Sequence, residues 1–205
     1  MSDLSCAATI VMARHAEAEY DTDLWSDAGG SLTLEGRAQA QALGEALGDR
    51  NVAAIWCSDM SLAVQTAEIA AAVLGVAVRV RPGLHEFGVG DYAGEPFSPD
   101  MVHPVYEAWL GGDLTASCPA AENGVDVVRR MAAEIEAIAD QYRGETVLVV
   151  SHGGAIGVSL AQLSTNVAGD FPRGRQLLNC DTCELAVDSD GIVLRTWAGQ
   201  PVESP

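Results

Sequence analysis

Two short apolar runs, far apart in the chain, both lead directly into a histidine. The first covers residues 9–13 and is followed by Arg14 and His15, and the second covers residues 146–150 and leads through a serine to His152. Unbroken runs of aliphatic and β-branched residues of this length predict strands that are buried on both faces of a parallel sheet. Because ligands bind beyond the carboxyl ends of parallel strands, the two histidines are expected to face one crevice.

Strands and helices alternate along the rest of the chain. The patterns predict helices at about 34–47, 60–74, 125–142 and 154–163, and further strands at 53–57 and 76–80. Thr33 and Ser58 are the predicted caps of the first two helices, and Gly75 is the predicted end of the second. Near the carboxyl end, Asp188-Ser189-Asp190-Gly191 has hairpin turn chemistry between strands at 184–187 and 192–197, and this hairpin is predicted at a sheet edge. The alternation indicates a mostly parallel sheet covered by helices on both faces.

A chain of 205 residues with 48% hydrophobic content can close one sizeable core, and we predict a single domain over residues 1–205. Two segments are expected to lie outside the regular layers. Residues 16–31 are polar and rich in glycine, and are predicted to form a loop over the first strand end. Residues from about 87 to 124 mix Gly, Pro and aromatic residues, with a brief helix near Pro104–Leu110, and are predicted to form a lid insertion or pocket wall.

The charge balance excludes some classes of partner. The formal net charge is −18, with 29 acidic residues against 11 basic ones, so nucleic acid and anionic membrane surfaces are poor partners. Residues 1–5 lack a basic leader region and no apolar run reaches the roughly 20 residues that span a bilayer, so a cytoplasmic location is expected. Five cysteines at irregular spacing do not resemble a disulfide framework, and Cys180 and Cys183 are interpreted as ordinary buried thiols.

The residues at the two strand ends have the chemistry that phosphoryl transfer needs. Arg14 offers a fork of N–H donors to phosphate oxygens, and a ring nitrogen of His15 can attack phosphorus to form a phosphohistidine. His152, if protonated, would stabilise the phosphate oxygens, and the backbone amides of Gly153 and Gly154 would add donors at a helix start. No His-x-x-x-His pair or helix-face ligand set is present in the sequence, so neither a metal nor another cofactor is predicted.

A proton donor for the leaving group is also present in the sequence. Glu86 lies in the stretch Leu84-His85-Glu86-Phe87-Gly88, where the predicted lid begins. An apolar neighbour and a covering lid would raise the pKa of its carboxyl, which makes Glu86 the candidate general acid.

Six separated segments, taken in order, resemble the histidine phosphatase superfamily, also called phosphoglycerate mutase-like. The segments are Arg14-His15, Leu32-Thr33-Leu34-Glu35-Gly36-Arg37-Ala38-Gln39-Ala40, Gln65-Thr66-Ala67, Leu84-His85-Glu86, Ala121-Glu122-Asn123 and Val150-Ser151-His152-Gly153. The resemblance implies a three-layer α/β/α sandwich with a mostly parallel central sheet. It also implies a phosphohistidine intermediate on His15, phosphate binding by Arg14 and His152, and proton donation by Glu86.

Three positions depart from the pattern of that superfamily. Ala16 stands where a glycine is usual, and Asp21 appears where an asparagine usually binds phosphate. Most seriously, Leu62 falls where the second phosphate-binding arginine is expected. A charge-assisted donor of this kind contributes about 3 kcal/mol to a transition state, so its loss would cost on the order of a hundredfold in rate. The arginines that are candidates to compensate are Arg79, Arg81, Arg173 and Arg175.

Three functions follow, in order of preference. The first is a metal-independent phosphatase that hydrolyses a small phosphorylated metabolite through His15, and the second is a weakened member that binds a phosphorylated ligand or partner without efficient turnover. The third is a phosphoglycerate-type mutase, which ranks last because the modest lid and the thinned cationic pocket suit a bisphosphate poorly. A homodimer is left open.

Several other polar and aromatic residues have two interpretations each. Glu122 either contacts the histidines or serves as a carboxylate near a helix start. His85, His103, Tyr106 and Trp109 lie near or within the predicted lid and are candidates for substrate contact, whereas Tyr106 and Trp109 are equally expected to pack the lid helix.

Overall fold

The computed structural model describes residues 6–26 and 29–203, so the expectation for residues 1–5 and part of the predicted loop at 16–31 lie outside the described residues. The strands of the described part are β1 Ala8–Arg14, β2 Ala18–Glu19, β3 Ser31–Leu32, β4 Val52–Cys57, β5 Val78–Val80, β6 Thr146–Ser151, β7 Thr182–Asp188, β8 Gly191–Trp197 and β9 Gln200–Pro201. The helices are α1 Leu34–Ala46, α2 Ser61–Leu74, α3 Pro99–Leu110, α4 Gly124–Gln141 and α5 Gly153–Leu163, with short 3₁₀ turns at Gly48–Arg50, Pro82–Leu84 and Gly90–Tyr92.

A seven-stranded sheet in the order β5-β4-β6-β1-β7-β8-β9 forms the centre of the fold. The strands β5, β4, β6 and β1 are parallel, while β7, β8 and β9 continue the sheet in antiparallel fashion. The predicted hairpin is therefore confirmed as part of the antiparallel edge region. The neighbours β1 and β6 are paired so that Arg14 lies opposite Ser151, which brings His15 and His152 out at the same edge of the sheet.

Helices cover both faces of this sheet. Along β1 the buried side chains alternate, so that Ile10 and Met12 belong to one apolar cluster and Val11 and Ala13 to another. The first cluster contains the buried faces of α4 and α5, and the second contains those of α1 and α2. This period of two, repeated along β6, produces the three-layer α/β/α sandwich that was predicted.

Of the three predicted helix boundaries, the start of α1 and the end of α2 are confirmed, and the predicted cap of α2 is wrong. Thr33 caps α1, because its Oγ1 accepts a hydrogen bond from the Gly36 N–H at 2.9 Å, and Gly75 ends α2 in the left-handed region at φ 70°. Ser58, however, is not the cap of α2, which begins after Met60. Ser58 follows β4 directly, at the carboxyl ends of the parallel strands. Its hydroxyl oxygen lies 2.8 Å from His152 Nε2 there.

Two predicted segment assignments need correction. The stretch predicted as a loop at residues 16–31 contains β2 and β3, which pair as a small antiparallel sheet. The helix predicted near Pro104–Leu110 starts earlier, with Pro99 in the first helical turn, where the missing N–H of proline has no intrahelical role. Pro104 lies inside this helix.

The cysteines and the helix lengths bear on two further expectations. All five cysteines are free thiols, with Cys183 buried and Cys180 partly buried. Within residues 6–26 and 29–203, none of the helices combines the length and apolarity needed to cross a membrane.

Candidate active site

A cavity of about 970 Å³ opens at the carboxyl ends of β1 and β6. Arg14, His15, Glu86, His152 and Gly153 all line it, so the structure brings together every residue of the predicted site. The chemical role of each remains a prediction.

His15 follows β1 directly and is held in one tautomer by the backbone. Its Nδ1 lies 2.8 Å from the carbonyl oxygen of Ala16, and because a carbonyl only accepts, Nδ1 carries the proton. The lone pair therefore resides on Nε2, the ring nitrogen left for a ligand in the cavity. Burial lowers the pKa of His15 to about 4, with the Arg14 charge acting in the same direction, so the ring is neutral at about pH 7.

The backbone around His15 is fixed by two polar side chains, Asn179, which the sequence analysis missed, and Thr66, which lies in one of the motifs that carry the resemblance. Asn179 Nδ2 donates to the carbonyl oxygen of His15 at 2.9 Å. The Ala16 N–H donates to Thr66 Oγ1 at 3.0 Å, and that hydroxyl donates in turn to the Leu62 carbonyl at 2.7 Å. Ala16, whose carbonyl orients the His15 ring, is thus anchored to α2 through its own N–H.

His152 stands at the start of α5, with its ring centroid 5.2 Å from that of His15. Its Nε2 lies 2.8 Å from Ser58 Oγ, which accepts a further bond from the Met60 N–H at 3.2 Å. Burial, followed by the neighbouring His15, holds the pKa of His152 well below its ordinary value. The free protein therefore favours a neutral His152, so the protonated ring considered in the sequence analysis is not the favoured form without a ligand. A bound phosphate would add the negative charge that favours protonation.

Arg14 lines the cavity, and one of its nitrogen donors is hydrogen-bonded while another has no partner among the described residues. Its Nη1 donates to the Leu177 carbonyl at 2.7 Å, whereas its Nε is buried without a hydrogen-bond partner among the described residues. A Cβ at position 153 would lie 3.4 Å from Arg14 Cδ, so the arginine side chain lies directly against the start of α5. A buried donor without an acceptor is costly, which favours an anionic ligand at this point.

The Glu86 carboxyl occupies the amino end of α5. It accepts hydrogen bonds from the N–H groups of Gly154 at 2.9 Å, Ala155 at 2.6 Å and Phe87 at 3.1 Å. Burial raises the pKa of Glu86, and these amide bonds oppose part of that rise. The Gly154 amide, predicted to be a phosphate donor, is consequently engaged by Glu86 in the free protein.

The segment that carries Glu86 is fastened to α4 by Arg130, another residue that the sequence interpretation missed. Arg130 donates to the carbonyls of Gly83 and His85 at 2.9 and 2.7 Å, and forms a two-bond pair with the Glu122 carboxylate at 2.8 and 3.0 Å. The Glu122 carboxylate thus forms an ion pair with Arg130 instead of contacting the histidines. Glu122 precedes the N-cap of α4 and is eight residues from Arg130, outside the i,i+3 and i,i+4 spacings of helical neighbours, so no local sequence pattern indicates this pair.

Leu62 lies in the first turn of α2, lines the cavity and is 1% exposed. An apolar side chain therefore occupies the position where the resemblance places an arginine.

The four arginines proposed to compensate divide into two pairs. The guanidinium groups of Arg79 and Arg81 lie over the Trp56 ring at 5.4 and 4.8 Å, and neither residue is among those described as lining the cavity. Arg173 and Arg175 do line it. Arg173 is 3.4 Å from a Glu107 carboxylate oxygen, and Arg175 donates to the Phe171 carbonyl at 2.7 Å.

The remaining candidates divide between the cavity and the core. His103 and Tyr106 line the cavity, whereas Trp109 is fully buried and donates to the Ala116 carbonyl at 2.8 Å, as the packing interpretation predicted. Asp21 is exposed and is not among the described cavity residues, but Asp23 is. No group of three or more His, Cys, Asp or Glu side chains suited to hold a metal ion occurs within the described ranges.

A sequence model of the Histidine phosphatase superfamily (branch 1) matches residues 10–200. The chain belongs to this superfamily.

Among the relatives of this histidine phosphatase superfamily member is a protein of Yersinia pestis (strain Pestoides F) named a probable phosphoglycerate mutase, GpmB. It is 27% identical over 194 residues, which cover 92% of this chain and 89% of the relative. The structure of a mycobacterial glucosyl-3-phosphoglycerate phosphatase is 27% identical with a TM-score of 0.75, covering 94% of this chain and 99% of that one. YhfR of Bacillus stearothermophilus shares the fold, with a TM-score of 0.77 at 23% identity over 96% of this chain and 98% of its own. Membership thus indicates a phosphoryl-transfer enzyme, and its relatives carry both phosphatase and mutase names.

Removing the Arg130 side chain is expected to lower the free energy of unfolding by about 2 kcal/mol in Arg130→Met, because two carbonyls and a carboxylate lose their partner. Arg129→Met, one position earlier, breaks an exposed pair with Asp126 and should cost less than about 0.5 kcal/mol. Urea unfolding of both variants measures the difference. Equal costs would contradict the anchoring role of Arg130.

The lowered pKa of His15 predicts a pH dependence of stability. As pH falls below about 6.5 the unfolded chain takes up a proton on this histidine, whereas the folded chain resists protonation until about pH 4. His15 should therefore contribute a loss of about 3 kcal/mol in the free energy of unfolding across this window. Urea unfolding at a series of pH values should show a smaller loss in His15→Gln, and parallel curves for the two proteins would refute the shift.

Proposed function

We propose that the protein is a metal-independent phosphatase that hydrolyses a small phosphorylated metabolite through a phosphohistidine on His15. The observation that carries this proposal is the bond from His15 Nδ1 to the Ala16 carbonyl, which makes Nε2 the nucleophilic nitrogen. A neutral, oriented imidazole beside a partly buried arginine is suited to attack phosphorus without further activation.

In the first step the Nε2 lone pair of His15 forms a bond to phosphorus, and the bond from phosphorus to the ester oxygen breaks. The departing alkoxide takes its proton from the Glu86 carboxyl, whose raised pKa suits a general acid. Arg14 and the Gly153 amide bind the phosphate oxygens, and His152 joins them once the substrate's charge favours its protonation.

In the second step water attacks the phosphorus of phosphohistidine. The Glu86 carboxylate accepts a proton from that water, the nitrogen to phosphorus bond breaks, and phosphate leaves with His15 restored to its starting tautomer. Because the first step needs a protonated Glu86, the rate with alkyl esters should fall as pH rises through the pKa of this group.

Two other functions remain as alternatives, each with an observation in its favour. A binder with little turnover is favoured by Leu62, which leaves Arg14 without the second arginine that the resemblance leads us to expect. A phosphoglycerate-type mutase is favoured by the name of the Yersinia pestis relative. We rank hydrolysis first because the mycobacterial structure of comparable identity is named a phosphatase and because its chain is covered almost completely.

Phosphate release from a panel of phosphomonoesters, in EDTA and without added metal, tests the proposal. Wild type should release phosphate well above His15→Ala. Leu62→Arg should raise the rate by about a hundredfold if the missing donor limits turnover, while Leu62→Met, similar in size but uncharged, should leave it near wild type. Thermal unfolding of each variant confirms that it is folded.

Release no greater than that of His15→Ala on every substrate would contradict the phosphatase and favour the binder. Isomerisation of a phosphoglycerate with little phosphate release would instead favour the mutase.

A further inference from the structure

The cavity is far larger than the phosphate site needs, and several aromatic rings line its walls. Its volume of about 970 Å³ is at the upper end for pockets that enclose a drug-sized ligand. The aromatic residues that line it are Tyr20, Trp25, Phe87, Phe97, Tyr106 and Trp197. Resting on the proposed function, we infer that the substrate is a phosphomonoester whose organic part is a planar aromatic group without a second anion.

Trp25 and Phe97 form the part of this wall that is suited to receive a ring. Their ring centroids are 4.4 Å apart at an interplanar angle of 44°, and Phe97 is 57% exposed. Tyr20, also on the cavity wall, is 55% exposed. Large apolar side chains exposed together at a concave site mark a surface that a ligand covers.

This aromatic pair is fixed in place by backbone hydrogen bonds between two loop segments. The Trp25 N–H donates to Glu95 O at 2.9 Å, the Gly94 N–H donates to Trp25 O at 3.0 Å, and the Phe97 N–H donates to Asp23 O at 2.7 Å. The pair is therefore a preformed platform, which lowers the ordering cost of binding.

The indole of Trp25 also has an unused donor. Its Nε1 is buried without a hydrogen-bond partner among the described residues. A buried indole N–H normally finds an acceptor, so this donor is a polar group that the described residues leave unsatisfied next to the cavity wall.

The charges of the cavity argue against a second anionic group on the substrate. Apart from Arg14, which lies beside His15, the arginines described on the wall are Arg173 and Arg175. Arg173 is already 3.4 Å from the Glu107 carboxylate, and Arg175 lies over the Phe171 ring at 4.5 Å. Asp23 and Glu107 add negative charge to the wall, so a remote carboxylate or second phosphate would meet repulsion.

Three alkyl esters with similar primary alcohol leaving groups test the inference without a leaving-group bias. Benzyl phosphate should have a kcat/KM about tenfold or more above that of methyl phosphate, because the ring leaves water for the aromatic wall. A carboxylate on the ring, in para-carboxybenzyl phosphate, should lower kcat/KM at least about fivefold. Equal rates for benzyl and methyl phosphate, or a gain from the carboxylate, would overturn the inference.

Matched variants test which side chains cause the preference for benzyl over methyl phosphate. Trp25→Ala and Phe97→Ala should each reduce the preference for benzyl over methyl phosphate by about tenfold. Leu34→Ala removes a side chain that is 88% exposed on α1, away from the described cavity wall, and should change neither rate. A preference that survives both ring deletions would contradict the assignment of the platform.

Binding of stable phosphonates separates this inference from the proposed hydrolysis. Calorimetry should show benzylphosphonate binding about tenfold more tightly than methylphosphonate, with the difference lost in Trp25→Ala. If this holds while no ester is hydrolysed, the proposed function fails and the ligand class stands. Hydrolysis that depends on His15 with no aromatic preference in rate or binding would leave the function intact and refute the ligand class.

Discussion

The parallel pairing of β1 with β6 is the constraint on which the rest of the site depends. Its register places Arg14 opposite Ser151, so the next residues, His15 and His152, leave the sheet side by side with their rings 5.2 Å apart. The strands can hold that register because each is buried on both faces between the two helical layers. A slip of one residue would move every buried side chain to the opposite face, so core packing and catalytic geometry are determined together.

The amino end of α5 is where the groups of the site compete for the same donors. Its first amides attract negative charge, and in the free protein the Glu86 carboxyl takes the N–H groups of Gly154 and Ala155. Position 154 must be glycine for this arrangement, because a Cβ there would lie 2.4 Å from the Phe87 ring. In the proposed reaction, an entering phosphate would meet Arg14 and Gly153, and its charge would act on the pKa of both His152 and Glu86. On this proposal, one helix start couples proton transfer to phosphate binding.

The sequence revealed those parts of the site that follow a local pattern. Strand ends predicted His15 and His152, and ordered motifs predicted Glu86, because each signal lies within a few consecutive residues. Two residues that hold the site's backbone in place, Asn179 and Arg130, were missed. Each donates to a backbone carbonyl far away in sequence, 164 residues for Asn179 and 45 for Arg130, so no local pattern indicates them. Ser58 was misread as a helix cap because its pattern fits a cap, and only the tertiary fold places His152 within reach of its hydroxyl. The pairing of residues 23–25 with 94–97 has no periodic signal, so the Trp25 and Phe97 platform could not be predicted.

The central claim is that His15 carries the phosphoryl group, and trapping that group tests it most directly. In Glu86→Gln with para-nitrophenyl phosphate, the leaving group needs no proton, while the water that resolves the intermediate lacks its base. Rapid quenching followed by peptide mass spectrometry should then find a phosphoryl group on His15, and none in Glu86→Gln combined with His15→Ala. Release of nitrophenol at equal rates from the two proteins, or a phosphoryl group on His152 instead, would contradict the account.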